Sequence, residues 1–561
     1  MRALEPFRRL HHTLWERRVD RPAVVAAGVG LFAVLAFFAT TPRLPFQDLP
    51  NHELILRLGR HFANGATSPF FESRHPTIFG YSLYIGLHRA LAFALESNRC
   101  VALITTAGAI AFPIAVARLS RALGGSGRWA FALSVPFILA WHVRMGFVPY
   151  SLGVDGAVLW IASTARMVES FSLRRAAWVF ALASLTYLAH PLAWAAGSVG
   201  VALVWVHSRR SRTTFAAIAI SMLAVFAFFT WDVAHHAFRQ IPETTVTWEP
   251  SPPFFRPLTT AFAHLVTRTF SVTRPIALVP IFAIVFGTLV AIPKAHASAD
   301  IRREDARHAT TVYRGLFVFA AIAVFAPSAV GVAWVIGDRL AIFAAVFAIV
   351  AASRTFATND ELGPRLIVAA ATLTTLGLSV AETRADAIDV ARISLPVAAR
   401  LPPGRYLTYR LSDCSEEPRN EVWGRPDPER QLWSTIADEA AMTPYAFAFA
   451  NYLPVQFQGA AYGERLRAPR EWDVNELRTG VAGAACEAFD RHQVDKARRT
   501  RFDGVIVTGL PERIERIVGV LPREDVVRAT PGIWLVRRTG SRSADPAAAT
   551  GSMGPTQKPQ K

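Results

Sequence analysis

Long apolar runs occupy most of the first two thirds of the sequence and set the predicted architecture. Each run carries few or no charges and is close to the ~20 residues that a helix needs to cross a bilayer core of ~30 Å. These runs therefore predict a bundle of membrane-crossing helices. They cover residues 22–40, 77–95, 100–117, 129–145, 150–167, 175–189, 191–207, 213–231, 276–293, 314–334, 340–353 and 365–381.

Composition agrees with this pattern, and the placement of the charge argues against nucleic-acid binding. The hydrophobic fraction is 52% and the mean hydropathy is +0.28 over 561 residues. The net charge of +18 suggests nucleic acid at first, but the basic residues cluster in short loops between apolar runs, where positive charge sets membrane orientation. We therefore expect the lipid bilayer, and not nucleic acid, to be the partner of this charge. The marker residues are Arg118, Arg121, Arg128, Arg166, Arg174, Arg175, His207, Arg209, Arg210, Arg212, Lys294, Arg302, Arg303, Arg307, Arg314, Arg354 and Arg365.

The basic loops also predict the orientation. They alternate consistently only if residues 41–118 contain one net crossing, which leaves about eleven crossings with the N-terminus in the cytoplasm. Residues 382 onward then lie outside the cytoplasm. If both 77–95 and 100–117 cross, a later run must fail to cross, and the short run 340–353 is the candidate.

The run 77–95 differs from the others in its polar content. It contains Tyr81, Tyr84, His88 and Arg89, which suit an interfacial or re-entrant helix better than contact with lipid tails. We therefore expect this run to lie at the outer interface.

A soluble region follows the last apolar run. Residues 404–411, 502–509 and 533–538 are rich in β-branched and aromatic side chains and predict strands, whereas 511–521 opens with proline and predicts a helix. The predicted fold class is mainly α, a polytopic helical bundle with a small C-terminal extracytoplasmic α/β domain. The predicted domains are a membrane domain over 1–381 with outer loops 41–76 and 232–275, the α/β domain over 382–540, and a disordered tail over 541–561.

The three cysteines divide between these two parts. Cys100 falls in an apolar run, where packing is its expected use. Cys414 and Cys486 both fall in the extracytoplasmic domain, where an oxidising environment permits a disulfide. Two separate thiols are an equally open interpretation of that pair.

The first outer loop contains the leading catalytic candidate, Asp48. It lies just after the first membrane helix, and Pro50 and Asn51 then open an amphipathic segment suited to the interface plane. A carboxylate fixed there can act as general base toward an acceptor hydroxyl, or help to hold a divalent cation against a phosphate. Helix capping is the alternative role for Asp48, although Asn51 is an equally good cap.

Basic residues near the outer face are candidates for binding phosphate or another part of a substrate. Arg339, next to Asp338 between two apolar runs, can clamp a phosphate through its bidentate guanidinium. A turn with an internal ion pair is the alternative for this dipeptide. Arg57 and Arg60 are rival phosphate ligands whose alternative is a solvated helix face, and the neighbouring His52 points in another direction on the same segment.

His190 stands before Pro191 at a predicted outer helix junction, where it can shuttle a proton or touch substrate, unless it only marks a hairpin turn. Loop 232–275 adds His235, His236, Trp248 and Glu249, with aromatic anchoring as the expected use of the tryptophan.

The rest of the outer rim gives no further site. Arg144 and Tyr150 also lie there, and the sequence suggests no function for either. No nucleotide-binding, HExxH or CxxC motif is present, and no set of metal ligands is predicted, so a divalent cation at Asp48 is the one cofactor expected as an option.

The stretch DLPNH (48–52) and the layout around it resemble a known group of membrane enzymes. An acidic residue in the first outer loop, followed by an interfacial helix, resembles the GT-C superfamily, which includes protein O-mannosyltransferases and aminoarabinose transferases. The stretch is also similar to bacterial membrane proteins usually placed with that superfamily. Many members carry a second acid beside the first, whereas Gln47 and Leu49 flank Asp48 here, which argues against a two-acid metal site.

The resemblance implies transfer of a sugar from a polyprenyl-phosphate carrier to an envelope acceptor, with Asp48 as the catalytic acidic residue. It also implies an integral protein of the bacterial cytoplasmic membrane. Two alternatives stay open: a transporter or flippase of lipid-linked envelope precursors, and a non-catalytic envelope protein. A transporter predicts charged residues in mid-membrane and internal sequence symmetry. The sequence shows few such charges and no internal symmetry.

Overall fold

A computed structural model gives the architecture of the chain in two units. The first contains residues 1–391, 422–431 and 449–464, and the second contains 392–421, 432–448 and 465–561. The structure describes residues 20–41, 44–46, 49, 52, 81–206, 212–232, 246–247, 283–285, 288, 303–326, 329–330, 333–334, 336–358, 361–400, 406–410, 441–442, 488, 491–492, 494–495, 498, 504–508, 511–521, 526–530 and 533–537.

Most of the described residues form helices that follow the apolar runs. They are α1 (Arg21–Thr40), α2 (Ser82–Ala92), α3 (Ser97–Ala122), α4 (Gly127–Ser134), a 3-10 helix (Val135–Leu139), α5 (Trp141–Arg144), α6 (Val148–Glu169), α7 (Leu173–Ala189), α8 (Pro191–Val206), α9 (Arg212–Asp232), α10 (Arg303–Phe325), α11 (Ile336–Thr358), α12 (Leu362–Arg400) and α13 (Pro511–Val518).

Five of the described helices are long and apolar enough to cross a membrane, which makes the chain an integral membrane protein. They are Arg21–Thr40, Arg99–Ala122, Ala306–Phe325, Ile336–Thr358 and Leu362–Ile388. The count of about eleven crossings stays a prediction. The run 340–353 belongs to a 23-residue helix, so its shortness in sequence is no reason to exclude it as a crossing.

Helix α2 is the helical portion of the described residues 81–95 in the run 77–95. Its 11 residues extend about 17 Å, which is well short of the ~30 Å core of a bilayer. This length agrees with the expected interfacial helix.

Two predicted helices are interrupted in the structure. The run 129–145 divides into α4, the 3-10 helix and α5, because Pro136 removes a backbone donor and Ala140 adopts an extended conformation. The run 314–334 is helical only to Phe325, and a small antiparallel sheet follows it. Its strands are β1 (Val246–Thr247), β2 (Ala329–Val330) and β3 (Ala333–Trp334), in the order β1-β2-β3. The apolar pattern of the sequence did not indicate the interruption of either run.

Small residues allow α6 to pack closely on the junction between α7 and α8. A Cβ placed on Gly153 would lie 2.7 Å from Ala193 Cβ and 3.0 Å from His190 Cβ. One placed on Gly156 would lie 2.7 Å from Thr186 Oγ1. Such close approach of helix backbones is typical of membrane helix interfaces, and here it fixes the position of His190.

One end of the bundle is closed by an ion cluster, which we call the Asp20 cluster. Asp20, before α1, accepts from Arg128 at 2.9 Å and from Arg365 at 3.1 Å. Arg365 also donates to the carbonyl of Phe356 at 2.6 Å, and the Phe356 ring stacks on Trp129 at 4.6 Å. The cluster joins the ends of α1, α4, α11 and α12.

The other end of the bundle contains a second buried ion pair. Arg144, the last residue of α5, bonds Glu382 at 3.2 Å and Asp386 at 2.9 Å. These acids lie one turn apart on α12, so the two bonds tie the segment before α6 to that helix.

The second unit contains a five-stranded mixed sheet. Its strands are β4 (Tyr406–Arg410), β5 (Ala441–Met442), β6 (Gly504–Thr508), β7 (Val526–Thr530) and β8 (Ile533–Arg537), in the order β5-β4-β6-β8-β7. Strand β4 runs parallel to β6, and β8 runs antiparallel to both of its neighbours. Helix α13 buries Ile514, Ile517 and Val518. The three predicted strands and the helix are therefore confirmed as elements, whereas β5 and β7 were not predicted.

Candidate functional site

Several sequence-predicted residues lie outside the described part of the chain. These are Asp48, Arg57, Arg60, Cys414 and Cys486, together with His235, His236, Trp248 and Glu249, and their predicted roles stay predictions. His52, His190 and Arg339 are described, and all three lie around one segment of the bundle, residues 146–150.

The position of His190 follows from the local sequence. Pro191 is the first residue of α8, and His190 before it has the extended backbone expected ahead of a proline, with φ −163° and ψ 123°. The backbone N–H of Leu192 donates to His190 Nδ1 at 3.1 Å, and His190 Nε2 lies 3.1 Å from Tyr81 Oη. The histidine is therefore more than a turn marker, because both ring nitrogens are engaged.

Tyr81 was expected only as an interfacial aromatic residue, and the structure gives it a more specific place. It precedes α2 with φ 90° and ψ −9°, a left-handed conformation that is an outlier for a bulky side chain. Its ring meets that of His190 edge to face at 5.0 Å. The positive φ and the histidine contact together hold the phenol in one direction.

Arg339 lies in the first turn of α11, so the alternative of a turn at Asp338 and Arg339 is wrong. The Tyr150 hydroxyl donates to the backbone carbonyl of Arg339, and the guanidinium lies 4.0 Å from the centroid of the Phe147 ring. Its Nε is buried and, within the described residues, has no hydrogen-bond partner. No described carboxylate forms an ion pair with Arg339 either. Its charge is thus held by aromatic faces.

His52 approaches the same segment from the other side. It is buried, packs edge to face on Tyr84 at 5.4 Å and hydrogen-bonds the backbone of Gly146. Burial lowers the pKa of His52 from 6.5 to about 4, against the weaker opposing effect of that hydrogen bond. Gly146 has φ 77° and directly precedes Phe147, the residue that lies against Arg339.

We call the group formed by Tyr81, Phe147, Tyr150, His190 and Arg339 the Arg339 site. The rings of Tyr150 and His190 are 5.1 Å apart, which closes the group. It presents a cation without a described acid, beside neutral hydrogen-bonding side chains, and such an arrangement suits an anion. Among the residues that the structure describes, no three metal-ligating side chains come together.

Asp155 is a buried carboxylate that the sequence analysis passed over. It lies in α6, its Oδ2 is 3.8 Å from where a Cβ on Gly108 would stand, and that oxygen has no hydrogen-bond partner among the described residues. An acid within an apolar run was the available sequence signal, because such acids are rare in membrane helices and tend to be functional.

Comparisons with known proteins rest on structure, because no family model and no curated protein matches the sequence. The crystal structure of ArnT from Cupriavidus metallidurans, bound to undecaprenyl phosphate, is similar with a TM-score of 0.50 and 11% identity. The match covers 92% of this chain and 98% of ArnT. This likeness shows that the chain has the fold of ArnT, a GT-C aminoarabinose transferase, as the resemblance of its first outer loop predicted.

A mycobacterial arabinofuranosyltransferase, AftD, is also similar. The TM-score is 0.46 and the identity 15%, over 92% of this chain and 40% of AftD. A mutant form of AftD gives a TM-score of 0.42 and 14% identity over 75% of this chain and 32% of that one. The chain thus spans less than half of the length of AftD.

Proposed function

We propose that this chain is a membrane glycosyltransferase of the GT-C type that moves a sugar from a polyprenyl-phosphate-linked donor to an envelope acceptor. The observation that carries the proposal is the fold shared with ArnT over nearly the whole of both chains. The ArnT structure holds undecaprenyl phosphate, and the Arg339 site offers a cation suited to a phosphate of that kind.

The chemistry is an inverting transfer. The acceptor oxygen attacks the anomeric carbon of the donor, its proton passes to the Asp48 carboxylate, and the bond from that carbon to the phosphate oxygen breaks. Polyprenyl phosphate leaves with the electron pair of that bond. Asp48 serves as the base in this proposal, and a cation beside the phosphate stabilises the charge that develops on the leaving group.

The surroundings of Arg339 support its assignment to the phosphate. A guanidinium over an aromatic ring, without a described acid, can still bind an anionic ligand. The charge of an arginine in an ion pair is already compensated by its carboxylate partner. Arg57 and Arg60 remain further candidates for this role. Within the proposal His190 and His52 bind substrate or shape the site, and the protein lies in the bacterial cytoplasmic membrane with its site facing outward.

The deciding experiment compares lipid-linked sugars and envelope glycans in four strains. They carry the wild-type protein, a deletion, Asp48→Asn, and Glu53→Gln as a control acid in the same loop, at matched protein levels. We expect the deletion and Asp48→Asn to accumulate the same sugar lipid and lose the same glycan, while Glu53→Gln behaves as wild type. This result would also identify the sugar.

Two other outcomes would exclude the proposal. If the deletion alters the glycans and Asp48→Asn does not, Asp48 is not catalytic and transport of a lipid-linked precursor becomes the better explanation. If the deletion leaves both the lipids and the glycans unchanged, the protein has no part in this transfer and the non-catalytic role remains.

A further inference from the structure

We propose that Tyr81 is a substrate-contacting residue whose hydroxyl donates a hydrogen bond to the anion bound by Arg339. The proposal rests on the proposed function in one respect, since it takes that anion to be the phosphate of a polyprenyl phosphate. The contact between Tyr81 and His190 and the nearby guanidinium carry the argument.

The direction of the hydrogen bond between His190 and Tyr81 follows from the other ring nitrogen. The Leu192 N–H donates to His190 Nδ1 at 3.1 Å, so Nδ1 is an acceptor and the neutral ring carries its proton on Nε2. Nε2 lies 3.1 Å from Tyr81 Oη and therefore donates to that oxygen. The phenol keeps its own proton for a further acceptor, and none is present among the described residues.

The backbone of Tyr81 gives independent support. A tyrosine at φ 90° is strained, and residues in such conformations persist where the surrounding structure holds them, commonly at functional sites. Asparagine or glycine would fit this backbone with less strain. The presence of a strained aromatic residue here is explained if its hydroxyl is needed at this position.

Arg339 supplies the positive charge that would bind the same anion as the Tyr81 hydroxyl. Its guanidinium is 4.0 Å from the Phe147 ring, and its charge acts electrostatically on both Tyr81 and His190. A cation and an O–H donor in one group of side chains match the several oxygens of a phosphate. The combination suits a phosphate ester better than a neutral sugar hydroxyl.

The test is a binding titration of full-length protein in nanodiscs, with undecaprenyl phosphate in one arm and inorganic phosphate in the other. We expect Tyr81→Phe to weaken lipid binding by about 10- to 100-fold, the usual effect of losing a hydrogen bond to a charged group. The unfolding temperature should fall only modestly, because phenylalanine keeps the ring but leaves the His190 Nε2–H without its acceptor. Tyr187→Phe is the matched control, since that buried ring packs on Trp194 and Phe228.

A second variant guards against a folding defect. Tyr81→Asn removes the phenol but suits the left-handed backbone, so the relief of strain should offset part of the lost contact with His190, and the variant should lose the same affinity. Wild-type affinity in Tyr81→Phe, or equal losses in Tyr81→Phe and Tyr187→Phe, would overturn the proposal while leaving the proposed function intact. Binding of inorganic phosphate alone, with the same dependence on Tyr81, would support the hydrogen bond and refute the lipid donor. Binding of neither ligand by wild type would refute both.

Discussion

Arg339, in the first turn of α11, and Arg365, near the start of α12, have contrasting surroundings. Arg365 is bonded to the Asp20 carboxylate and to the Phe356 carbonyl, and it is almost fully buried. Arg339 has the Phe147 ring beneath its guanidinium and, within the described residues, no acid. The sequence shows two similar arginines beside apolar runs. Arg365 forms an ion pair that joins the helices, whereas Arg339 is the one that we propose retains its charge for a ligand.

The physical reason lies in the cost of burying charge. A guanidinium removed from water loses its hydration, and a carboxylate with good hydrogen-bond geometry offsets much of that loss. An aromatic face offsets less of it, and a bound anion completes the compensation. The following predictions test this contrast, from the largest expected effect to the smallest.

Removing Arg365 should have the largest effect on stability. Arg365→Met leaves Asp20 with one partner instead of two, and we expect the free energy of unfolding to fall by roughly 3–5 kcal/mol, as for other broken buried pairs. Detergent-solubilised protein unfolded by heat and by denaturant would give this value. Arg89→Met, on an exposed face of α2, is the control and should change stability by less than about 0.5 kcal/mol. Equal stabilities for the two variants would remove the structural role given to Arg365.

Acid should destabilise the region around His52. The folded pKa of about 4 lies below the ordinary 6.5, so the folded state favours the neutral ring. The contribution of His52 is complete above about pH 6.5 and is lost as the pH falls toward 4, to an extent on the order of 3 kcal/mol. Unfolding temperatures measured from pH 7.5 to 4.5 should fall less steeply for His52→Phe than for wild type. Parallel curves would contradict the lowered pKa.

Arg339→Gln should separate binding from stability. We expect a loss of about 10- to 100-fold in affinity for undecaprenyl phosphate, because a charge-assisted contact is removed. The free energy of unfolding should change by no more than about 1 kcal/mol, the scale of a cation–π contact. Arg339→Lys should bind with intermediate affinity, since lysine keeps the charge without the planar fork. Unchanged affinity in Arg339→Gln, measured in the same titration, would assign the phosphate to other residues.

The Arg144 pair should give the smallest single effect. Glu382→Gln leaves the Arg144 bond to Asp386 in place, and we expect a loss of about 1 kcal/mol, because both acids are partly exposed. The double change Glu382→Gln with Asp386→Asn should cost clearly more, since Arg144 itself is buried. Thermal unfolding of the three proteins decides this, and a single change as costly as the double would show that the acids do not share Arg144.

The sequence allowed prediction of those parts of the site that depend on neighbours in the chain. His190 was identified from its position before Pro191, and Arg339 from its place beside an apolar run. Tyr81 was not identified as a partner of His190, because 109 residues separate them and only the packing of α2 and α7 joins them. The acids bound to Arg144 were missed for the same reason, with 238 and 242 residues between the partners.

The sequence by itself determined that this is a membrane protein, where most of its helices lie and which superfamily its first outer loop resembles. These features are local, since a run of about 20 apolar residues excludes water wherever it stands in the chain. The run 22–40 became the helix Arg21–Thr40, and 213–231 became Arg212–Asp232, each within one residue at either end. Only the tertiary structure decided that Arg365 pairs with Asp20, while Arg339 meets no carboxylate among the residues that the structure describes. An arginine has the same charge in any sequence, and its use depends on whether folding brings a carboxylate or an aromatic ring within contact distance.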